Sequence, residues 1–191
     1  PFPEIQATER PDKAASAIVE GRIVIIVDNS PTALIVPATL NSFFQASDDS
    51  YNRWLIATLL RILRYIGSFL TMFLPGLYIA VVNYQPELLS PALTLSFSAA
   101  REGVPFSVLI EVIAMELAFE MLLEAGVRLP GPMGSMLGIV GGLVIGDAAV
   151  SANLVSPMVV IIIALTAISA FTIPNEAFAS SFRLIRFLSI I

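Results

Sequence analysis

Cysteine and histidine are both missing from the 191 residues. Without cysteine there is no disulfide and no thiol chemistry. Without either residue the usual zinc sites and every histidine-dependent triad are excluded. Charge is scarce too. Only 13% of residues are charged, against roughly 25% in a soluble domain. The net charge is −5 and no run of lysine or arginine occurs, which excludes nucleic acid as a partner. No glycine-rich phosphate loop followed by lysine, no cluster with metal-ligand spacing and no nucleophile elbow is present. The reading is therefore of a non-enzyme with no catalytic residue, metal site or cofactor. No initiator methionine or signal-peptide pattern opens the chain. The final residues enter a new apolar run, so a longer parent protein is expected.

What fills the chain instead is apolar: 57% of residues are hydrophobic and the mean hydropathy is +0.86. The few charges are uneven. Residues 1–64 hold six of the ten basic and seven of the fifteen acidic side chains. The expected fold class is mainly α: a polytopic membrane helical domain, about four spans plus a truncated fifth, preceded by the end of a cytoplasmic α/β domain.

Residues 1–47 read as the edge of that α/β domain. Pro11 opens a short helix that stops near Gly21. Residues 22–27 are a β-branched run of strand length. Asp28 to Pro31 form a turn cluster, and residues 33–37 a second strand that closes a hairpin. Residues 48–64 read as a juxtamembrane amphipathic helix carrying Tyr51 and Trp54, with Arg53, Arg61 and Arg64 snorkelling toward headgroups. Residues 65–191 read as the transmembrane domain.

The expected spans are 63–84, 105–125, 134–153 and 157–173. Residues 65–86 carry no charge, enough to cross roughly 30 Å of hydrocarbon. Pro75 and Gly76 predict a kink there. Ser90 and Pro91 read as an N-cap and first-turn proline, opening a segment too short to span. Arginine placement puts the N-terminal side of the first span in the cytoplasm, with Arg128, Arg183 and Arg186 on the same side.

Four glutamates lie in the apolar stretch 105–125. Glu116, Glu120 and Glu124 fall within a helical arc of roughly 80° and extend over about 12 Å. Glu111 points nearly opposite Glu120. Ionisable groups at membrane depth normally face a bundle interior or water. In a symmetric oligomer each position becomes a ring of carboxylates that selects cations. The competing reading pairs these glutamates with Arg101, Arg128 or a partner subunit, or lays the helix flat at the interface. Asp147 is a second intramembrane acid, lining a polar cavity or capping a neighbouring helix. Gly134, Gly138, Gly142 and Gly146 share one face, a pattern that permits close helix packing, either between subunits or within one.

Several stretches together resemble a known family. They include Thr8 to Asp12, Glu20-Gly21-Arg22 with Val27-Asp28, Leu34 to Pro37, Arg101 to Phe106 and Glu124 to Pro130. Ile139 to Gly142, Gly146 to Val150, Leu154 to Pro157 and Phe171 to Pro174 complete the set. The chain resembles, nearly end to end, the A subunit of the GerA-type spore germinant receptors of endospore-forming bacteria. The resemblance implies a multi-pass protein of the bacterial inner membrane, cell or spore, with a larger cytoplasmic N-terminal region. It implies nutrient sensing alongside a transporter-like B subunit that binds the nutrient and a lipoprotein C subunit. It further implies homo-oligomers, set in membrane lipid, that release monovalent cations. A paralogous branch of the family comprises accessory germination proteins. The alternatives to a ligand-gated channel are a secondary or proton-coupled transporter subunit and a non-conducting membrane scaffold.

Overall fold

The computed structural model describes residues 2–128 and 133–190. The protein is mainly helical, with eight α-helices and three short strands among the described residues. Two compact units divide it. One comprises the chain up to Met72 together with Ile168–Ile185, and the other Phe73–Ala167 with the end of the chain from Arg186.

The first unit begins with a small sheet. Strand β1 (Gln6–Thr8) precedes helix α1 (Pro11–Val19), and strands β2 (Ile23–Ile25) and β3 (Ala33–Val36) follow. Both outer strands run antiparallel to β3, in the order β1-β3-β2. Ile35 lies opposite Gln6 on one side and Val24 on the other, and is almost fully buried. Pro11 sits at the first position of α1, where its missing N–H costs nothing. Gly21 closes the helix at φ 82°, and Arg22 N–H returns to Ala17 O at 2.9 Å, the left-handed stop that glycine favours. The hairpin ladder is shorter than residues 22–27 suggest. Ser30 N–H donates to Val27 O at 3.1 Å and Asn29 takes φ 61°, so the turn begins at Val27 and leaves Ile26 and Val27 exposed.

Helix α2 (Leu40–Phe44) brings Phe43 and Phe44 into an aromatic core with Ile173, Phe178 and Phe182. Phe178 is its centre. Its ring stacks on Phe43 at 4.9 Å and meets Phe44 and Phe182 edge-on at 5.2 and 4.7 Å.

Helix α3 (Trp54–Tyr84) is continuous over 31 residues. The stretch read as a juxtamembrane helix and the stretch read as the first span fall on this one element. The reason is local: neither glycine nor proline occurs between Trp54 and Ile66, and arginine is a good helix former. At 1.5 Å per residue it extends about 46 Å. It is the one helix among the described residues both long and apolar enough to cross a membrane. Leu55, Ile56, Leu59, Ile62, Leu63, Ile66 and Phe69 on it are exposed, an apolar surface larger than soluble monomers usually present.

Helices α4 (Pro91–Ala100), α5 (Val108–Arg128), α6 (Met133–Ser151) and α7 (Pro157–Phe171) follow. The Ser90 hydroxyl caps α4 by accepting from Leu93 N–H at 3.4 Å. Asn153, at φ 52°, ends α6 and lets Leu154 N–H reach Ala149 O at 2.9 Å. Helix α8 (Glu176–Ile190) starts well before Arg186. Asn175 Oδ1 accepts from Phe178 N–H at 2.9 Å, so the cap after Pro174 fixes the start. Within the second unit the core gathers Tyr78, Ile79, Val108, Val112, Met115, Val155, Val159 and Ile163.

Candidate functional site

Helix α5 places its acidic side chains in unlike surroundings. Glu111 and Glu116 are buried, Glu120 is partly buried and Glu124 is exposed. Glu111 lies in the first turn of α5 and reaches two partners. Its Oε1 accepts from Arg101 Nη2 at 3.2 Å, and its Oε2 accepts from the backbone N–H of Ser156 at 2.8 Å. Ser156 immediately precedes α7, so Glu111 places a negative charge at the positive end of that helix. Arg101 Nη2 also donates to Phe106 O at 3.2 Å, fixing the loop between α4 and α5.

Glu116 and Glu120 converge on Arg186 of α8. Arg186 Nη2 lies 2.9 Å from Glu116 Oε2 and 3.3 Å from Glu120 Oε2. The Arg186 and Glu116 side chains are fully buried. Both Glu116 oxygens and Arg186 Nε and Nη1 have no directed hydrogen bond from the described residues. A buried charge is tolerable only beside an opposite one, which explains why α8 delivers a guanidinium here.

Asp147 is exposed on α6, as is Ser151 one turn further on. The structure does not bring Asp147 to the Arg186 cluster. Among the glycines, a Cβ on Gly146 would lie 3.4 Å from Val160 Cγ1 of α7, whereas one on Gly142 would meet nothing within 4 Å. The tight approach of α6 to α5 is at Gly141, where a Cβ would lie 2.6 Å from Leu122 Cδ2. The surroundings of Gly134 and Gly138 lie outside the described residues. Pro75 is buried within α3. At its neighbour Gly76 a Cβ would collide with the backbone carbonyl of Ser189, so this glycine permits α8 to seat against α3.

Sequence reasoning named Arg101 as a partner for the glutamates but missed Arg186. The available signal was a basic residue at the head of an apolar run. A second missed cluster lies in the first unit. Asp49 is buried and takes a two-pronged grip from Arg64, with Nη1 at 2.6 Å from Oδ2 and Nη2 at 2.8 Å from Oδ1. Arg61 Nε adds a bond at 3.3 Å and Ala46 N–H another at 3.2 Å. The Arg64 guanidinium holds the Asp49 carboxyl below its ordinary range, against the opposing effect of burial. Arg64 Nη1 also donates to Phe44 O at 3.0 Å. Arg61 and Arg64, read from sequence as snorkelling, are turned to Asp49.

The class so defined is a helix-rich protein with a membrane-length apolar helix and carboxylates buried against arginine. Comparison with known proteins makes the assignment narrower. The profile of the Bacillus/Clostridium GerA spore germination protein family matches residues 1–191, and the chain belongs to that family. It is 49% identical over 189 residues to spore germination protein A1 of Bacillus subtilis (strain 168), covering 99% of this chain and 39% of that protein. It is 50% identical over 190 residues to spore germination protein KA of the same organism, covering 100% and 35%. A third relative, the uncharacterized membrane protein YfkQ of B. subtilis, is 48% identical over 187 residues, covering 98% and 36%. The chain thus spans well under half the length of these relatives. No solved structure matches it.

Proposed function

We propose that the chain is the membrane-embedded part of an A-type subunit of a nutrient-responsive spore germination receptor. In this reading it crosses the bacterial inner membrane several times with its N-terminal part cytoplasmic. It assembles with copies of itself, with a transporter-like B subunit and with a lipoprotein C subunit, and opens a path for monovalent cations when nutrient binds. Family membership over the whole chain supports the germination role. The observation that carries the ion-path reading is the burial of Glu111 and Glu116 within one predominantly apolar helix. Carboxylates at membrane depth are costly and mark ion or proton routes by default. Asp147, exposed in the single chain, is an acid that would face a pore formed between copies. The open face at Gly142 leaves room for a neighbouring helix.

A second reading is a non-conducting scaffold, favoured by the ion pairs of Arg186 with Glu116 and Glu120. Potassium release from spores separates the two. Glu116, Glu120 and Glu124 are changed together to Gln in the full-length protein, and receptor abundance is measured in the same spores. Slower release or lost cation preference at normal abundance is the expected result. Unchanged release and preference at normal abundance removes α5 from the ion path and leaves the scaffold.

A further inference from the structure

A polar cavity of about 90 Å³ lies within the first unit. It is bounded by α1, by Gln6 and Ile35 of the sheet, and by Ser42 and Tyr51 further along the chain. Four charged residues, Asp12, Lys13, Glu20 and Arg22, contribute to its wall. Three of them already have ionic partners. Asp12 accepts from Arg10 Nε and Nη2 at 3.3 and 3.1 Å and from the Tyr51 hydroxyl at 3.3 Å. Arg10 Nη1 also meets Asp48 Oδ1 at 2.9 Å. Glu20 Oε2 meets Arg22 Nη2 at 2.9 Å.

Lys13 differs from these. It is the chain's only lysine, it is half-buried, and its side chain makes no ion pair or hydrogen bond among the described residues. An ammonium carries three donors and no acceptor, so all three remain for a ligand. Burial, then the charges of Arg10 and Arg22, push Lys13 below the ordinary lysine range, and each arginine outweighs the opposing pull of Asp12. The field at this nitrogen is therefore positive with the neighbouring acids in place. Arg22 uses Nη2 for Glu20 and keeps Nε and Nη1 for a further acceptor. Gln6 supplies the opposite need. It is buried, and its Nε2 donates to Ser42 O at 3.4 Å, which fixes the orientation of the amide. Its Oε1 is left as an acceptor without a donor among the described residues.

We propose that this cavity binds a small oxyanion that also carries a hydrogen-bond donor, its oxygens held by Lys13 and Arg22 and its donor by Gln6 Oε1. Hydrogen phosphate and a short hydroxy-carboxylate share that chemistry. The space is well above what one water needs. The site belongs to the first unit and is independent of the ion-path reading, which concerns α5.

The test uses the full-length protein in detergent near neutral pH. An amine-acetylating reagent is added, and modification of the Lys13 peptide is followed by mass spectrometry. Inorganic phosphate, sodium lactate and sodium chloride are compared at equal ionic strength. Phosphate or lactate at saturation is expected to slow acetylation roughly tenfold, the effect of one pKa unit on the reactive amine. Chloride is expected to leave the rate unchanged. Protection by phosphate alone supports the site and assigns a phosphate-type ligand, and protection by lactate alone supports it and assigns a hydroxy-carboxylate. Protection by both supports a site that reads the oxyanion itself. No protection by either, or equal protection by chloride, overturns the proposal. Arg22→Gln is expected to raise the half-protecting concentration roughly tenfold, the loss of one charge-assisted contact, and undiminished protection in that variant overturns the assignment. If Arg22→Gln does not assemble, Glu20→Gln decides, since Glu20 is exposed and its loss frees Arg22. A severalfold lower half-protecting concentration supports the site, and an unchanged or higher one overturns it.

Discussion

The backbone N–H of Ser156 donates to Glu111 Oε2 at 2.8 Å across 45 residues of sequence. Helix α7 is thereby capped by a side chain from α5 rather than by its own neighbour. Glu111→Ala removes this cap and leaves Arg101 without its carboxylate, a loss expected to cost about 3 kcal/mol. Glu111→Gln keeps an acceptor for Ser156 and loses the ion pair, so about half that cost is expected. Thermal unfolding of the detergent-solubilised protein, followed by helical circular dichroism, ranks the two. Equal midpoints for Ala and Gln would contradict the cap.

Asp49 and its two arginines give a second ranking. Arg64→Ala breaks a two-pronged buried contact and is expected to destabilise the first unit by about 3 kcal/mol. Arg61 is 42% exposed at its side chain, so Arg61→Ala should cost under about 1 kcal/mol. Local proteolysis rates report both.

The same carboxylate sets a pH response. Because its folded value lies below the ordinary one, its stabilising effect is fully present above the ordinary carboxylate pKa. The effect is lost as pH falls through the depressed folded value. Acid unfolding of the wild type should therefore be steeper in that window than acid unfolding of Asp49→Asn, measured on the same preparation by titration of tryptophan fluorescence from Trp54.

Phe178 is fully buried between three aromatic rings. Phe178→Leu should cost about 1–2 kcal/mol and Phe178→Ala about 3–5 kcal/mol. A flat response to both substitutions in thermal unfolding would show that the aromatic cluster does not support the first unit.

Glycines in α6 should behave unequally. Gly142→Ala meets open space and gains helix propensity, so stability should rise by roughly 0.5–1 kcal/mol. Gly141→Val drives a branched side chain toward Leu122 and should lower it. If Gly142→Ala instead abolishes germination at normal abundance, a neighbouring copy occupies that face.

Local signals in the sequence were strong wherever a single residue type decides backbone conformation. Pro11, Gly21 and Ser90 with Pro91 all mark element ends that the structure shows. Long-range pairing was not legible in the same way. Strand β1 has three residues and no alternating run, and exists because β3 lies beside it. The Arg186–Glu120 contact spans 66 residues, and only the tertiary fold brings the two together. The glycine pattern shows the limit well. A shift of one residue turns a helix by about 100°, so a stripe through Gly142 and Gly146 could not identify Gly141 as the point of contact with α5.

The strand order has a practical consequence for anyone cutting the protein. Strand β3 carries Ile35 at the centre of the sheet, and one of its two flanks is supplied by Gln6, Ala7 and Thr8. A shortened version that begins at Pro11 keeps every helix and the hairpin, yet strips one whole edge from β3 and opens Ile35 to water. The new edge would present unpaired backbone groups beside an apolar side chain, the arrangement that recruits strands from other molecules. Solubility of such truncations should therefore fall abruptly between a start at Pro3 and a start at Pro11, rather than gradually with length.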